Sequence, residues 1–128
     1  MAWLFPETDE VLKLQEQAIE EFGGTYGVRD ESALESALMA ARNRAFYENA
    51  DMAVCAATYA YHLSQAHAFI DGNKRIAAAV AELFLSINGA KLNLTNAEIV
   101  GLFLGIAAGR ISRDEVEDLF QQRVTTAD

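Results

Sequence analysis

Residues 67–75 read His67-Ala68-Phe69-Ile70-Asp71-Gly72-Asn73-Lys74-Arg75 and interrupt an apolar helical run that resumes directly afterwards. An imidazole, a carboxylate, a glycine, an amide and two cations therefore lie in one short connection between two predicted helices. His67 ends the first helix and Asn73 begins the second, which brings the imidazole close to a helix N-terminus. The free amides and the positive dipole end of a helix N-terminus attract anions. The stretch predicts a phosphate site beside a group that accepts protons.

Each polar residue of the stretch suits a part of that chemistry. Gly72 lets the backbone approach a ligand closely, and Lys74 and Arg75 add cationic contacts to phosphate. Asp71 is a hard oxygen ligand, and Mg²⁺ is commonly held by one or two carboxylates together with phosphate oxygens. A neutral imidazole at His67 can take the proton of a serine, threonine or tyrosine hydroxyl. The combination indicates transfer of a phosphate-containing group.

The same residues also have structural uses that the sequence leaves open. Asp71 or Asn73 can simply cap the following helix, which is a common role of either residue at a helix start. His67 can be a hydrogen-bonded histidine at a helix end. Phe69 alternates with the polar residues, so we expect it to point inward and anchor the loop. Residue chemistry alone favours an anion site and leaves catalysis undecided.

Apolar patterns on both sides of the stretch predict helices. Residues 51–66 are alanine-rich, and residues 76–87 are apolar almost all round, which predicts a central helix surrounded by protein. Asn88-Gly89 offers a left-handed end to that helix. Residues 90–94 are too few for more than an edge extension, so we expect almost no strand.

The flanking regions carry further helix signals. Residues 7–22 have an amphipathic spacing that stops at Gly23-Gly24, and residues 23–28 read as a loop. Three capping-box patterns predict further helix starts at Ser32…Glu35, Thr95…Glu98 and Ser112…Glu115. Aromatic residues at helical spacings are expected in or near the core: Phe46, Tyr47, Tyr59 and Tyr61. The fold prediction is all-α, a compact single-domain bundle of about six helices around a central buried helix.

Length and composition support one domain. The chain has 128 residues, 52% of them hydrophobic, and no Pro/Ser-rich linker, so we assign residues 1–128 to a single domain with a polar tail from about residue 124. Ten Lys and Arg residues against 19 Asp and Glu residues give a net charge of -9. Such a surface repels the phosphate backbone, which argues against direct binding of nucleic acid.

Sequence features also predict the compartment. Cys55 is the only cysteine, which fits a reducing cytoplasm, and its apolar neighbours predict a buried small side chain. Residues 1–6 lack the pattern of a secretion signal. Glu82 breaks the best candidate for a membrane span, so no membrane partner is expected. His62 precedes His67 by five residues, a poor spacing for a metal pair, and is predicted to be structural.

The stretch from His67 to Arg75 resembles the active-site motif of the Fic family: His, any residue, Phe, any residue, Asp or Glu, Gly, Asn, Gly or Lys, Arg. It is most similar to the death-on-curing (Doc) branch, which has lysine at the position of Lys74. The resemblance extends from Phe22 to about Phe120. It includes Gly23-Gly24, residues 32–41, residues 57–59 and residues 105–112.

The resemblance implies a fold, an activity and roles for the site residues. His67 would be the base that activates a target hydroxyl, and Asp71 would hold Mg²⁺. The nucleotide-binding positions correspond here to Gly72, Asn73, Lys74 and Arg75. In the Doc branch the lysine reverses ATP, so that its γ-phosphate faces the hydroxyl. The implied function is a toxin kinase that uses ATP and Mg²⁺, phosphorylates a threonine of elongation factor Tu and arrests translation.

The resemblance also implies a partner, a small antitoxin whose helical tail folds on binding, and hence an apolar groove beside the active site. Fic adenylyltransferases carry a second arginine where this chain has Ala78, and the chain lacks their internal inhibitory motif, so control would come from another chain. Gly72 follows the wider Fic pattern, whereas some Doc toxins have alanine there. Two alternatives therefore stay open: an adenylyltransferase that moves AMP to a protein hydroxyl, and a catalytically silent module that binds an anion or a partner.

Overall fold

The computed structural model describes residues 3–126, which form six α-helices and a small two-stranded sheet. The helices are α1 (Thr8–Phe22), α2 (Glu31–Glu48), α3 (Met52–Ala66), α4 (Asn73–Ile87), α5 (Asn96–Ala107) and α6 (Arg113–Arg123). The strands are β1 (Ala90–Leu92) and β2 (Val124–Thr126). The predicted all-α bundle is confirmed. Within the described residues, no helix is long and apolar enough to span a bilayer.

The central helix of the bundle is α3, which packs against α2, α4, α5 and α6. Its residues from 53 to 60 are buried without interruption. Residues 76–87, predicted as the central helix, lie instead in α4, which leaves Glu82 exposed. The alanines of α3 explain the difference, because small side chains let neighbouring helices approach from several directions. Cys55 is fully buried there, as predicted, and desolvation raises the pKa of its thiol to about 11.

Side-chain caps begin α2, α5 and α6. The predicted capping boxes at Thr95 and Ser112 are both present. The box predicted at Ser32 is wrong, since α2 begins earlier and the carboxylate of Asp30 accepts a hydrogen bond from the Ala33 amide at 3.0 Å. Asp30 is held in position because its own amide donates to the Ala68 carbonyl at 3.1 Å. A contact with the loop after α3 thus selects the start of α2.

Strand content is small, as expected: β1 pairs antiparallel with β2, and Lys91 lies opposite Thr125. The polar tail expected from about residue 124 is therefore paired as far as Thr126, while residues 127 and 128 lie outside the described part of the chain. The side-chain nitrogen of Asn93 donates to the Thr125 hydroxyl at 2.7 Å, and the Arg123 guanidinium donates to the Asn93 carbonyl at 2.8 Å. These contacts hold a segment that composition alone identified only as a polar tail.

Two of the four aromatic side chains expected near the core are on the surface. Tyr59 is 1% exposed and packs against Phe84, and Tyr61 is partly buried. Phe46 and Tyr47 are 80% and 78% exposed and stack edge to face on each other. Both lie in the last turn of α2, past the part of that helix that contacts the core, so helical spacing alone did not place them.

Gly105 marks a close approach between α5 and the turn that follows it. A Cβ atom at Gly105 would lie 2.4 Å from Cδ1 of Ile111, whereas one at Gly101 would meet no heavy atom within 4 Å. We expect Gly105→Ala to destabilise the protein by about 1–2 kcal/mol, because the stiff Ile111 side chain must move. Gly101→Ala, the matched control, should be neutral or stabilising by up to about 1 kcal/mol. Urea unfolding measures both, and equal stabilities would contradict this packing.

Candidate active site

All six residues predicted to form the site line one cleft of about 420 Å³. They are His67, Asp71, Gly72, Asn73, Lys74 and Arg75. The cleft lies where α3 ends, the loop of residues 67–72 turns, and α4 begins. The structure therefore brings the imidazole, the carboxylate and the helix N-terminus together, as their spacing predicted.

His67 ends α3 in a left-handed conformation, with φ 49° and ψ 40°. This conformation is uncommon for a residue with a side chain and requires support from its surroundings. Arg29 supplies part of that support, because its guanidinium donates to the His67 carbonyl at 2.8 Å and its backbone amide donates to the Ala68 carbonyl at 2.7 Å. The turn sends the chain away from α3 and leaves the His67 side chain exposed at the cleft.

Phe69 anchors the loop below the site. Its side chain is 1% exposed, which confirms the predicted inward orientation. Its backbone forms an isolated antiparallel bridge with Val28, and the Ile70 amide donates to the Gly27 carbonyl at 3.1 Å. The buried ring and the bridge together fix the height of the loop relative to the core.

Asn73 has a role that sequence reasoning missed. Its side-chain oxygen accepts a hydrogen bond from the Phe69 amide, and its side-chain nitrogen donates to the Phe69 carbonyl, both at 3.0 Å. The amide group thus clamps the loop across four residues instead of capping α4. Gly72 precedes it with φ 82°, a left-handed conformation that suits glycine. The protein's own hydrogen bonds and the Gly72 conformation thus shape the start of α4.

Asp71 lies exposed at the edge of the cleft, and Thr25 orients its carboxylate. The Thr25 amide donates to Oδ2 of Asp71 at 2.7 Å. Among the described residues, the other carboxylate oxygen of Asp71 has no hydrogen-bond partner and is free for a ligand. The pairing joins the loop after α1 to the site, a contact that no local spacing indicates.

Lys74 and Arg75 are exposed in the first turn of α4. In the part of the chain that the structure describes, neither forms a salt bridge, so both charges are available to an anion. The Arg75 guanidinium lies 4.0 Å from the centre of the Phe22 ring, a cation–π contact that keeps it near the cleft. Two free cations at a helix N-terminus form a local positive site on an acidic protein.

The acidic residue fits a magnesium ion that is shared with phosphate. Residues 3–126 contain no cluster of three or more His, Cys, Asp or Glu side chains that could hold a metal by themselves. A single carboxylate with one free oxygen, beside a helix N-terminus that carries two cations, is nevertheless enough for Mg²⁺, which keeps waters and takes its remaining ligands from substrate phosphates. Asp71 would be the residue that holds it.

His62 is partly buried in α3 and does not line the cleft. Burial lowers the pKa of its imidazole, and the charges of Arg113 and Arg44 lower it further, against an opposing contribution from Glu117. These surroundings fit the predicted structural role of His62.

This environment predicts a pH dependence of stability. Below the usual pKa of 6.5, the unfolded chain takes up a proton that the folded chain resists, so unfolding becomes easier. We expect wild type to lose stability relative to His62→Gln as the pH falls from about 7.5 to about 5. Thermal unfolding of both proteins across that range measures the difference, and parallel curves would contradict the prediction.

An apolar groove of about 180 Å³ lies beside the cleft, between the first turns of α4 and the exposed side of α5. Lys74 and Arg75 border both the groove and the cleft. The side chains of Val100 and Leu104 are 58% and 52% exposed there. Ala78, at the position where Fic adenylyltransferases carry a second arginine, lines this groove. The expected apolar groove is thus present.

Comparisons with known proteins identify the family of this chain. A family model described as the Fic/DOC family matches residues 5–85, which include the whole stretch from His67 to Arg75. The chain therefore belongs to the Fic/Doc family. It is similar to the protein kinase doc of Escherichia phage P1, with 31% identity over 121 residues that cover 94% of this chain and 95% of that protein.

Proposed function

We propose that this protein is the toxin of a toxin–antitoxin pair and a Doc-type protein kinase. It transfers the γ-phosphate of ATP to a threonine hydroxyl of elongation factor Tu and arrests translation in the cytoplasm. The observation that carries the proposal is the shared cleft, where His67 and Asp71 face the N-terminus of α4 with its two free cations. The similarity to a phage protein named as a kinase supports the same reaction.

The residues of the cleft divide the reaction among them. The amides at the start of α4, with Lys74 and Arg75, bind the phosphates of ATP, and Asn73 keeps that helix start in shape. The imidazole of His67 accepts the proton of the target hydroxyl while the oxygen of that hydroxyl bonds to the γ-phosphorus. The bond from this phosphorus to the bridging oxygen of ADP breaks in the same step. Asp71 would hold a magnesium ion, and that ion would neutralise part of the phosphate charge.

The choice of the γ-phosphate rests on two residues. Lys74 occupies the second position of α4 and adds a cation where other Fic motifs have glycine. Ala78 lies one turn later in the apolar groove, so no second arginine reaches the triphosphate from that position. Weaker binding of a triphosphate in the orientation used for adenylyl transfer favours the reversed orientation of ATP, in which the γ-phosphate is transferred.

Labelled ATP separates the kinase from the adenylyltransferase. We expect elongation factor Tu to acquire label from [γ-³²P]ATP and none from [α-³²P]ATP, with Mg²⁺ present and His67→Ala as the inactive control. Label from the α position instead would assign AMP transfer. No label from either nucleotide would reject elongation factor Tu as the target.

The groove beside the cleft supports control by a second chain. Its exposed apolar residues suit the helical tail of a small antitoxin that folds on binding. Because Lys74 and Arg75 border the groove and the cleft, a helix bound there would lie next to the phosphate site. Inhibition then follows from proximity and requires no change in the fold.

A further inference from the structure

Gln15 is a fully buried polar residue of α1 whose side chain reaches two separate loops. Its nitrogen donates to the Thr25 carbonyl at 3.4 Å and to the Asp71 carbonyl at 3.3 Å, and its oxygen accepts from the Gly27 amide at 3.2 Å. All three partners are backbone groups. One side chain thus connects α1 to the loop of residues 23–28, the glycine loop, and to the loop of residues 67–72 at the cleft, the acidic loop.

These hydrogen bonds hold Asp71 by two routes. Gln15 fixes the Asp71 backbone directly through its carbonyl. It also fixes the glycine loop, from which the Thr25 amide donates to the Asp71 carboxylate at 2.7 Å. We propose that Gln15 is a positioning residue, which sets the direction of the Asp71 carboxylate by holding the glycine loop and the acidic loop together.

The packing between the two loops is tight enough to transmit this constraint. A Cβ atom at Gly24, whose φ is 112°, would lie 3.2 Å from the Cβ atom of Asp71 and 3.1 Å from Cδ1 of Ile19. The glycine loop therefore lies directly against Asp71 and α1. A shift of either loop changes the position of the carboxylate.

The three contacts require a carboxamide. The two carbonyls need a donor, the Gly27 amide needs an acceptor, and complete burial of the Gln15 side chain keeps water from replacing any of them. A carboxylate at position 15 would turn an acceptor toward two carbonyls, and an apolar side chain would leave all three backbone groups without this partner. A buried position on α1 requires only an apolar side chain, whereas these three contacts require the side-chain amide of Gln15.

The test uses Gln15→Met, which keeps most of the side-chain volume and removes the three hydrogen bonds. Val11→Ala is the matched control, because Val11 is also fully buried in α1 but has no polar contact with either loop. Amide hydrogen exchange is measured by NMR on the full chain without ATP or metal. We expect the Thr25 and Gly27 amides of Gln15→Met to exchange at least about tenfold faster relative to those of α3 and α4, and Val11→Ala to keep their relative protection.

A second readout concerns the site itself, and its interpretation rests on the proposed function. We expect Gln15→Met to weaken binding of Mn²⁺ with ATP, followed by isothermal titration, by about tenfold, a typical effect of losing a group that orients a metal ligand. An unchanged rate of amide exchange at Thr25 in Gln15→Met would overturn the inference. An equal loss of protection at Thr25 and Gly27 in Val11→Ala would overturn it as well. Should the Gln15→Met chain not fold, Gln15→Asn, which withdraws the amide by one methylene, gives the same readouts.

The two readouts separate this inference from the proposed function. Amide exchange is measured without nucleotide, metal or target, so it tests the positioning role even if no phosphate is transferred. The labelling experiment uses the wild-type chain, so its failure would reject the kinase and leave the two-loop contact of Gln15 intact.

Discussion

Replacing His67 with alanine is expected to lower the rate of phosphoryl transfer by about 10²–10⁴, because the target hydroxyl loses the group that accepts its proton. The expectation follows from the position of the imidazole in the same cleft as the start of α4, which is proposed to bind phosphate. Initial rates with labelled ATP and elongation factor Tu measure the loss. Growth arrest by the protein should disappear with it.

The backbone at position 67 calls for a control variant. His67 has φ 49°, and this left-handed conformation is less favourable for alanine than for asparagine. His67→Asn keeps a side chain that tolerates the conformation but cannot act as a base. We expect both variants to be inactive, which separates the chemistry from backbone strain. Activity retained in His67→Asn would contradict the role of His67 as base.

The silent binding module makes the opposite prediction for the same residues. It expects His67→Ala to leave growth inhibition and partner binding unchanged, whereas joint substitution of Lys74 and Arg75 abolishes binding. The kinase expects loss of toxicity from His67→Ala alone. One growth assay on these variants therefore distinguishes the enzyme from the module.

The largest effect on stability is expected from Phe69→Ala. Removing this fully buried ring should destabilise the protein by about 3–5 kcal/mol, the usual range for a large aromatic side chain in a core. The loop that carries His67 and Asp71 would lose its anchor at the same time. Denaturant unfolding measures the change in free energy, and circular dichroism shows whether the helices remain.

Phe69→Leu is the matched control for that variant. Leucine keeps an apolar side chain in the same cavity, so we expect a much smaller loss of stability and retained transfer activity. A Phe69→Ala protein within about 1 kcal/mol of wild type would contradict the anchoring role, since surface substitutions typically have effects of that size or smaller.

Much of the site was predictable because its residues are neighbours in the chain. The order of His67, Asp71 and Asn73 across a break between two helices already places them at one helix N-terminus. The inward orientation of Phe69 follows from alternation with polar residues. The partners of these groups were not predictable, since Arg29, Thr25 and Gln15 approach from other segments. Gln15 lies on the buried side of α1, but nothing in its spacing indicates which backbone groups it meets.

Asn73 and Ser32 are two residues whose local roles the sequence did not predict. Asn73 is a residue type that often caps helices, yet its side-chain amide forms two hydrogen bonds with the backbone of Phe69. Ser32 matches a capping box, yet Asp30 caps α2 because the Ala68 carbonyl fixes the chain just before it. In both cases several local arrangements are compatible with the residues, and a contact with the loop after α3 selects one.

The sequence by itself determined that this protein is a helical bundle and that residues 67–75 carry an imidazole, a carboxylate and cations at a helix start. Both conclusions depend on spacings within a few residues. Tertiary structure alone decided that α3 is the central helix, that Val124–Thr126 pairs with β1, and that Gln15 and Thr25 hold Asp71. The physical reason is that these features arise from packing and hydrogen bonds between segments distant in the chain, whose relative positions no local period encodes.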